Sequence, residues 1–351
     1  NSDARKIVAA LALQTGDLDE AVNQLDYLIR QSESKQQGFA MATAILSRHG
    51  DDDLSLQAIE ELAARHPESA DGQLAVGRLA AVKGQPELAM TATDAALALQ
   101  PGMESAQILK AQVLIRQSRK DEALSVLGQA VADSPEHADL RFAYGRLLLD
   151  AGDLVGAREQ FRHVVRLAPE NTDALFSLAL LELETGEPEA AEKHLLQMLE
   201  TGEKQQTVHY YLGYTMEELG RDEDAVEWYG KVTAGDYWTK SQLRLSKILV
   251  RQGRLEEVRQ NMQRLRRNDP ENAVEIYLIE GQILSDLTLY NEAWHLYDQA
   301  LAIHQDNEDL LYSRALTAEK MDRIDLAEQD MRRILELDPQ NVRAMNALGY
   351  T

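Results

Sequence analysis

Apolar side chains recur along this chain at helical spacing, as in Ala143, Leu147 and Leu148 or in Leu175, Leu178 and Ala179, with polar residues between them. No window alternates apolar and polar residues as a half-buried strand would, so helices are predicted throughout. The helices are punctuated at a fixed interval. Pro67, Pro101, Pro135 and Pro169 stand 34 residues apart, and Pro270 and Pro339 return near the same phase. A glycine series runs Gly16, Gly50, Gly84, Gly152, Gly186, Gly220 and Gly253. A third series runs Ala89, Ala123, Ala157, Ala191, Ala225, Val258, Ala293 and Ala327, with Ser55 and Ala21 in the same phase upstream. Its spacings are 34 four times, then 33, 35 and 34. Twelve residues before its members come small side chains: Gly77, Ala111, Gly145, Ala179, Gly213, Ser246, Gly281 and Ala315, a series that continues to Gly349.

Each series has a physical cause. Small residues on one helix predict close approach of a second backbone at a crossing point, with the alanine series doing the same on the partner helix. The glycines between the two series predict a residue of positive φ just past a helix end, which glycine adopts without a Cβ clash. The prolines predict the end of the second helix. Two residues later Ser69, Asn171, Asn272 and Asn341 are candidate N-caps of the next helix.

This pattern resembles the tetratricopeptide repeat, a 34-residue helix–turn–helix unit with small residues at positions 8 and 20 and proline at 32. The resemblance covers essentially the whole chain. Repeats begin near Ser2, Gln36, Ala70, Glu104, Ala138, Thr172, Gln206, Thr239, Val274 and Glu308, and an eleventh starts at Val342. Leu212-Gly213-Tyr214-Thr215 recurs four periods later as Leu348-Gly349-Tyr350-Thr351. The departures are the lack of tryptophan at position 4, Ser55 and Val258 in place of alanine, and Glu203 and Gln305 in place of proline. The 33- and 35-residue intervals predict one deletion and one insertion, in loops around Tyr237 and Asn272. The resemblance implies an all-α fold, a right-handed superhelical solenoid of about ten to eleven repeats. Because each repeat buries its apolar face only on its neighbours, residues 1–351 are expected to form a single continuous array. Lacking a polar cap at Thr351, the array is expected to be truncated at both ends.

Composition narrows the partners. Lysine and arginine total 36 against 59 acidic residues, a net charge of −23, which disfavours nucleic acid and anionic membranes and favours neutral or basic partners. There is no cysteine, so disulfides, thiolate metal sites and cysteine catalysis are excluded. No apolar run is long enough to span a bilayer, so membrane association would come only through a lipid anchor outside this chain. There is no phosphate loop, nucleophile elbow or His-Glu-x-x-His. His49, His66, His137, His163, His194, His209, His295 and His304 are scattered, none three or four residues from another. The Asp51-Asp52-Asp53 and Glu217-Glu218 clusters lack EF-hand spacing and read as solvated faces. No catalytic residue, metal or cofactor is expected, and the chain reads as a binding protein rather than an enzyme.

In the resembled family, positions 2, 5, 9, 12 and 13 of the first helix line a concave groove. Carried over, these positions give Phe142, Arg146 and Leu149, then Phe176, Leu180 and Leu183, then Tyr210 and Tyr214. Asp139, Asp150, Asp173, Glu184, Glu217 and Glu218 flank them. An apolar floor with acidic walls suits an amphipathic partner helix or an extended segment with basic residues; the alternative is that these side chains pack between adjacent first helices. Tyr210, Tyr211, Tyr214, Trp228, Tyr229, Tyr237 and Trp238 concentrate aromatic residues in one stretch, the composition of an interface hot spot. Tyr229, at interior position 24, is assigned to the core. Trp228 and Trp238 are candidate anchors, or fill the space left by the deletion. Arg251, Arg254, Arg259, Arg264, Arg266 and Arg267 form the one basic segment, read as an outer face paired with acidic neighbours or as a dock for an acidic partner.

The carboxylate-clamp branch of the family uses lysine at position 5 and asparagine at position 9; only Lys6 fits, so chaperone tails are disfavoured. The long acidic array and its ending are similar to outer-membrane repeat lipoproteins of pseudomonad-type bacteria that recruit a carboxyl-terminal processing protease. That resemblance implies a periplasmic, outer-membrane-anchored adaptor that binds and helps activate a protease and presents its substrates, cell-wall hydrolases; otherwise the chain is cytoplasmic. The alternatives are a scaffold for exopolysaccharide export or envelope assembly, and the regulatory part of a larger enzyme.

Overall fold

The computed structural model describes residues 2–49 and 52–349. Among these the chain contains twenty-one α-helices and no strand. It forms two compact units, Asn1–Leu181 and Glu182–Thr351.

The first unit stacks helical hairpins. α1 (Ser2–Thr15) pairs with α2 (Leu18–Gln31), α3 (Lys35–His49) with α4 (Asp52–Ala64), and α5 (Ala70–Val82) with α6 (Pro86–Leu99). α7 (Glu104–Arg116) pairs with α8 (Lys120–Asp133), and α9 (Ala138–Ala151) with α10 (Leu154–Leu167). α11 (Thr172–Glu184) spans the boundary. The second unit holds α12 (Pro188–Glu200), then α13 (Gln205–Glu218) with α14 (Asp222–Gly230), and α15 (Trp238–Arg251) with α16 (Leu255–Asn268). α17 (Ala273–Asp286) with α18 (Tyr290–Ile303), α19 (Glu308–Lys320) with α20 (Ile324–Leu337), and α21 (Val342–Leu348) complete it. Every first helix starts within one residue of a repeat start read from the sequence.

The turns inside the hairpins share one backbone geometry. Gly16, Gly84, Gly152, Gly186, Gly220 and Gly253 have φ from +69° to +84°; Gly50 lies outside the described residues, as do Asp51, Tyr350, Thr351 and the Asp52 side chain. In three repeats without the glycine, Ser118, Thr288 and Asp322 take φ of +62°, +60° and +57° at the same position. The hairpin therefore imposes the conformation, and glycine is only its least strained occupant.

Ser69, Asn171 and Asn341 accept the expected capping hydrogen bonds from the backbone N–H groups of Gly72, Ala174 and Ala344. Asn272 does not cap. Its ψ is 12°, and its side-chain amide donates instead to Asp269 Oδ2 at 2.7 Å. The extra residue of the 35-residue interval falls here, so α17 begins at Ala273, ahead of the repeat phase. His137 and Asn307 cap α9 and α19, and Asp17 and Asp153 cap α2 and α10.

The small residues at position 8 act differently from expectation. At Gly213 an added Cβ would lie 2.6 Å from Tyr229 Cδ1, and at Gly145 it would lie 3.0 Å from Phe161 Cε1. The nearest neighbour is thus the ring at position 24, not a second backbone. Gly281 holds the ring of Tyr297 in the same way. Where position 8 is alanine (Ala111, Ala179, Ala315), position 24 is the thinner Leu127, Leu195 or Met331, all buried. Across these pairs volume is conserved, as a close-packed interior requires; Gly77, whose partner at position 24 is only Thr93, departs from it. The missing position-4 tryptophan is replaced in three repeats by polar pairs: Arg5 with Gln24, Arg141 with Gln160, and Gln242 with Asn261.

The 33-residue interval shortens a helix. α14 has nine residues where the other second helices have thirteen or fourteen, and an irregular segment over 231–237 replaces its last turns.

Candidate functional site

In the first unit, a cleft of ≈540 Å³ opens between the first helices α7 and α9. Ile108, Ala111, Ile115, Phe142, Ala143 and Leu147 form its floor; Gln112, Arg116, Asp139, Arg146 and Asp150 form its walls. The α9 residues on positions 2, 5, 9 and 13 come from the expected set, and Arg146 and Asp150 are exposed. Phe142 is half-buried, its ring centroid 5.7 Å from that of Phe161, and Leu149 is half-buried beside it in the same cluster. The α7 contribution was missed at the sequence level, although Ile108, Gln112, Ile115 and Arg116 occupy the same repeat positions. The walls also differ from the acidic expectation, since two arginines stand among two aspartates. One repeat earlier, burial pushes the Asp71 carboxyl above its ordinary range, partly offset by Arg78.

Phe176 and Leu180 are half-buried on α11 within the first unit, and Leu183 is half-buried on the part of that helix in the second unit. In the second unit Tyr214 is half-buried on α13. The Arg244 guanidinium lies 4.7 Å from its ring centroid. Arg244 Nη1 in turn donates to Glu217 Oε2 at 2.9 Å, and the same oxygen accepts the Tyr229 hydroxyl at 2.7 Å. Burial, then the neighbouring Glu218, raise the Tyr214 phenol above its usual pKa. Tyr229 is fully buried, and burial followed by its bond to Glu217 pushes its pKa up as well.

Tyr210 departs from the groove assignment. It is 9% exposed, stacked on Tyr237 at 4.6 Å and edge-on to Tyr211 at 5.1 Å. The irregular segment after α14 brings Tyr237 over it, and the aromatic pairing covers the face that would otherwise be open. Trp228 is half-buried between the His209 ring, 5.7 Å away, and Lys231 Nζ, 3.7 Å from its ring centroid. Trp238 is half-buried and lines a second cleft between α14 and α16.

The basic segment is largely neutralised. Arg251 pairs with Asp222 at 3.1 Å, Arg254 with Glu223 and Glu257, and Arg259 with Glu292. Arg266 pairs with Glu280, a buried carboxyl whose pKa burial raises. Two histidines make carboxylate pairs that sequence spacing could not reveal: His66 Nε2 is 2.7 Å from Asp26 Oδ1, and His194 Nδ1 is 2.7 Å from Glu182 Oε2. Among the described residues no group of three or more histidine or acidic side chains could hold a metal ion, and no helix is long and apolar enough to cross a membrane.

Helical hairpins of this period, packed in series and presenting a cleft between adjacent first helices, define a repeat scaffold. Three family models described as "Tetratricopeptide repeat" match residues 45–104 and 108–172, 148–210, and 308–341, together more than half of the chain. The chain belongs to the tetratricopeptide repeat family, whose fold typically serves as a non-catalytic scaffold for binding other proteins. It is similar to "TPR repeat-containing protein PA4667" of Pseudomonas aeruginosa, 34% identical over 143 residues, which cover 41% of this chain and 24% of that protein. The match thus spans about a quarter of the relative's length. Among solved structures it is similar to Pseudomonas aeruginosa PilF (17% identity, 62% of this chain and 99% of that one, TM-score 0.46). A tetratricopeptide repeat protein from Parabacteroides merdae matches at 15% identity, 71% and 98% coverage and a TM-score of 0.45.

Proposed function

We propose that this protein is a scaffold that captures segments of other proteins on the first-helix faces of its repeats. The observation that supports this reading most is the cleft between α7 and α9, whose walls, with Ile108, Ile115 and Phe142 of the floor, come from repeat positions that side-chain packing leaves at least partly accessible, over buried Ala111 and Leu147. An apolar floor with two arginines and two aspartates fits an amphipathic segment carrying both charges, held by its apolar stripe and oriented by its polar edge. The net charge of −23 favours basic partners at long range, which raises the rate of encounter more than the final affinity.

Within that class, we read the chain as an envelope adaptor: a periplasmic, outer-membrane-anchored lipoprotein that binds and helps activate a carboxyl-terminal processing protease and presents cell-wall hydrolases to it. The support is the sequence resemblance, together with a Pseudomonas relative of 34% identity. The mechanism is concentration: two proteins held on one scaffold meet at an effective concentration set by their spacing. A photo-crosslinking residue at Arg146, in the cleft, tests the reading in the native host against one at Glu159, exposed on the second helix α10. The expected result is a protease adduct at position 146 and none at 159. An adduct with an outer-membrane pore or export component would replace the adaptor with an export scaffold, and equal labelling at both positions would remove the cleft from the mechanism.

A further inference from the structure

A groove on the second-helix side of the second unit departs from the repeat's own rule. In a regular pair, α6 and α8 leave a groove of ≈290 Å³ lined by Met90, Leu114, Glu122 and Val126, and the Lys110–Asp94 ion pair at 2.7 Å closes it. The corresponding groove between α14 and α16 measures ≈670 Å³. Three features open it. α14 stops at Gly230, five residues before the point where α16 ends in its own repeat, which removes roughly 7 Å of helix at 1.5 Å per residue. The positions of Asp94 and Lys110 are held by Gly230 and Leu245, so no side chain reaches across; a Cβ on Gly230 would still be 3.9 Å from Leu245 Cδ1. Position 28, aliphatic in Ile29, Leu97, Val131, Val165, Leu199, Leu301 and Leu335, is here Thr233, exposed outside the helix with its N–H bound to Gln206 Oε1.

Its apolar lining is Val226, Trp238 and Leu265, each half-buried, over a base of Val232, Leu245 and Leu249, which are buried. The rim is mixed in charge, with Glu227 and Glu257 against Arg254 and Arg264. Glu227 is already paired with Lys231 and Glu257 with Arg254, so the groove carries little net field. We propose that this groove is a second docking site, separate from the first-helix cleft, that takes an amphipathic helical segment of another protein. The segment lies where the last turns of α14 would run and supplies an aliphatic side chain of the kind that seven other repeats place at position 28. The occupant follows from continuity with the hairpin packing: the space has the position, direction and apolar floor of a missing stretch of second helix. Because burial rather than ion pairing drives it, binding is insensitive to salt.

The probe is a capped synthetic peptide with the sequence of α12, Pro188–Glu200, a full-length second helix ending in Leu195, Leu196 and Leu199. It is titrated to about 1 mM, the range of weak single-helix contacts, into the whole chain labelled with 5-fluorotryptophan. The three tryptophans give separate fluorine resonances. The expected result is a saturable shift of the Trp238 resonance with Trp294 unmoved, unchanged at about 0.5 M salt. Gly230→Leu, which projects a side chain into the open slot, should reduce binding at least tenfold. The chain has no cysteine, so Thr233→Cys, alkylated with N-cyclohexylmaleimide after folding, fills the same slot independently of any folding defect. A wild-type chain that gives no shift, or a shift that survives alkylation, overturns the proposal. Self-association of the unliganded chain that Gly230→Leu abolishes would assign the groove to a second copy and overturn the foreign partner.

Discussion

Gly213→Ala tests whether position 8 is a socket for the ring at position 24. The new Cβ would stand 2.6 Å from Tyr229 Cδ1 and 2.7 Å from Cε1, well inside contact distance. The ring has nowhere to go, being fully buried with its hydroxyl bound to Glu217 at 2.7 Å. Overpacking of this kind costs about 1–3 kcal/mol, and displacing the ring also loses a hydrogen bond to a charged acceptor, about 1.5–3 kcal/mol. Against this, alanine gains about 1 kcal/mol of helix propensity over glycine, so a net loss of about 2–4 kcal/mol is expected. Tyr229→Leu alone removes the clash but leaves a cavity over Gly213, at a cost of about 2–3 kcal/mol. The double variant recreates the Ala179 and Leu195 pair that is buried at the same positions one repeat earlier. It should therefore recover about 2 kcal/mol relative to the sum of the single changes, a coupling typical of residues in contact. Urea unfolding followed by circular dichroism measures the three losses, and amide exchange in α13 and α14 locates them, since repeat arrays can open locally. Additive losses would refute the socket.

Other consequences are simpler. Thr288→Gly should stabilise the chain by about 1 kcal/mol, because a β-branched residue at φ +60° is strained; Ser118→Gly should give less and Asp322→Gly least, as read by thermal melting. Arg266→Ala leaves the buried Glu280 carboxylate without its cation and should cost about 3–5 kcal/mol at neutral pH. That loss should shrink as pH falls through the raised pKa of Glu280 and stop shrinking near pH ~4, where the carboxyl is protonated in both states. Burial pushes the Tyr297 phenol up to about 12. Its contribution to stability is complete below pH ~10, the unfolded value, and is lost as pH rises toward 12. Phenolate absorbance should accordingly show Tyr297 silent until the fold opens, and Tyr297→Phe should remove that part of the alkaline transition.

The periodic part of the fold was legible because its causes are local. A turn that demands positive φ, a proline that ends a helix and a small residue at a crossing each leave a mark at one position, and the marks recur. What depends on two distant positions was not legible in the same way. Gly145, Gly213 and Gly281 read as sites of backbone approach until Phe161, Tyr229 and Tyr297 were found to fill the space above them. Asn272 carried the right side chain for a cap, but the inserted residue moved the backbone out of capping geometry. Tyr210 sat at a groove position, and only the path of the segment over 231–237 placed Tyr237 across it.

The same distinction separates the two clefts. The one between α7 and α9 follows the repeat, so its walls and the Ile108, Ile115 and Phe142 part of its floor can be read off positions 2, 5, 9, 12 and 13 once adjacent repeats are taken together. The one between α14 and α16 exists because a repeat was broken: a single-residue deletion, visible in the sequence only as a 33-residue interval, goes with the loss of more than a turn of helix after Gly230. A deletion that only shortened a loop would have left α14 at full length and the groove near the ≈290 Å³ of its regular counterpart. The chain instead keeps Val232 buried and stacks Tyr237 on Tyr210, so the segment is packed into an alternative arrangement rather than left unstructured. The opening is thus held by specific contacts, and a surface maintained in this way is where departures from the repeat acquire meaning.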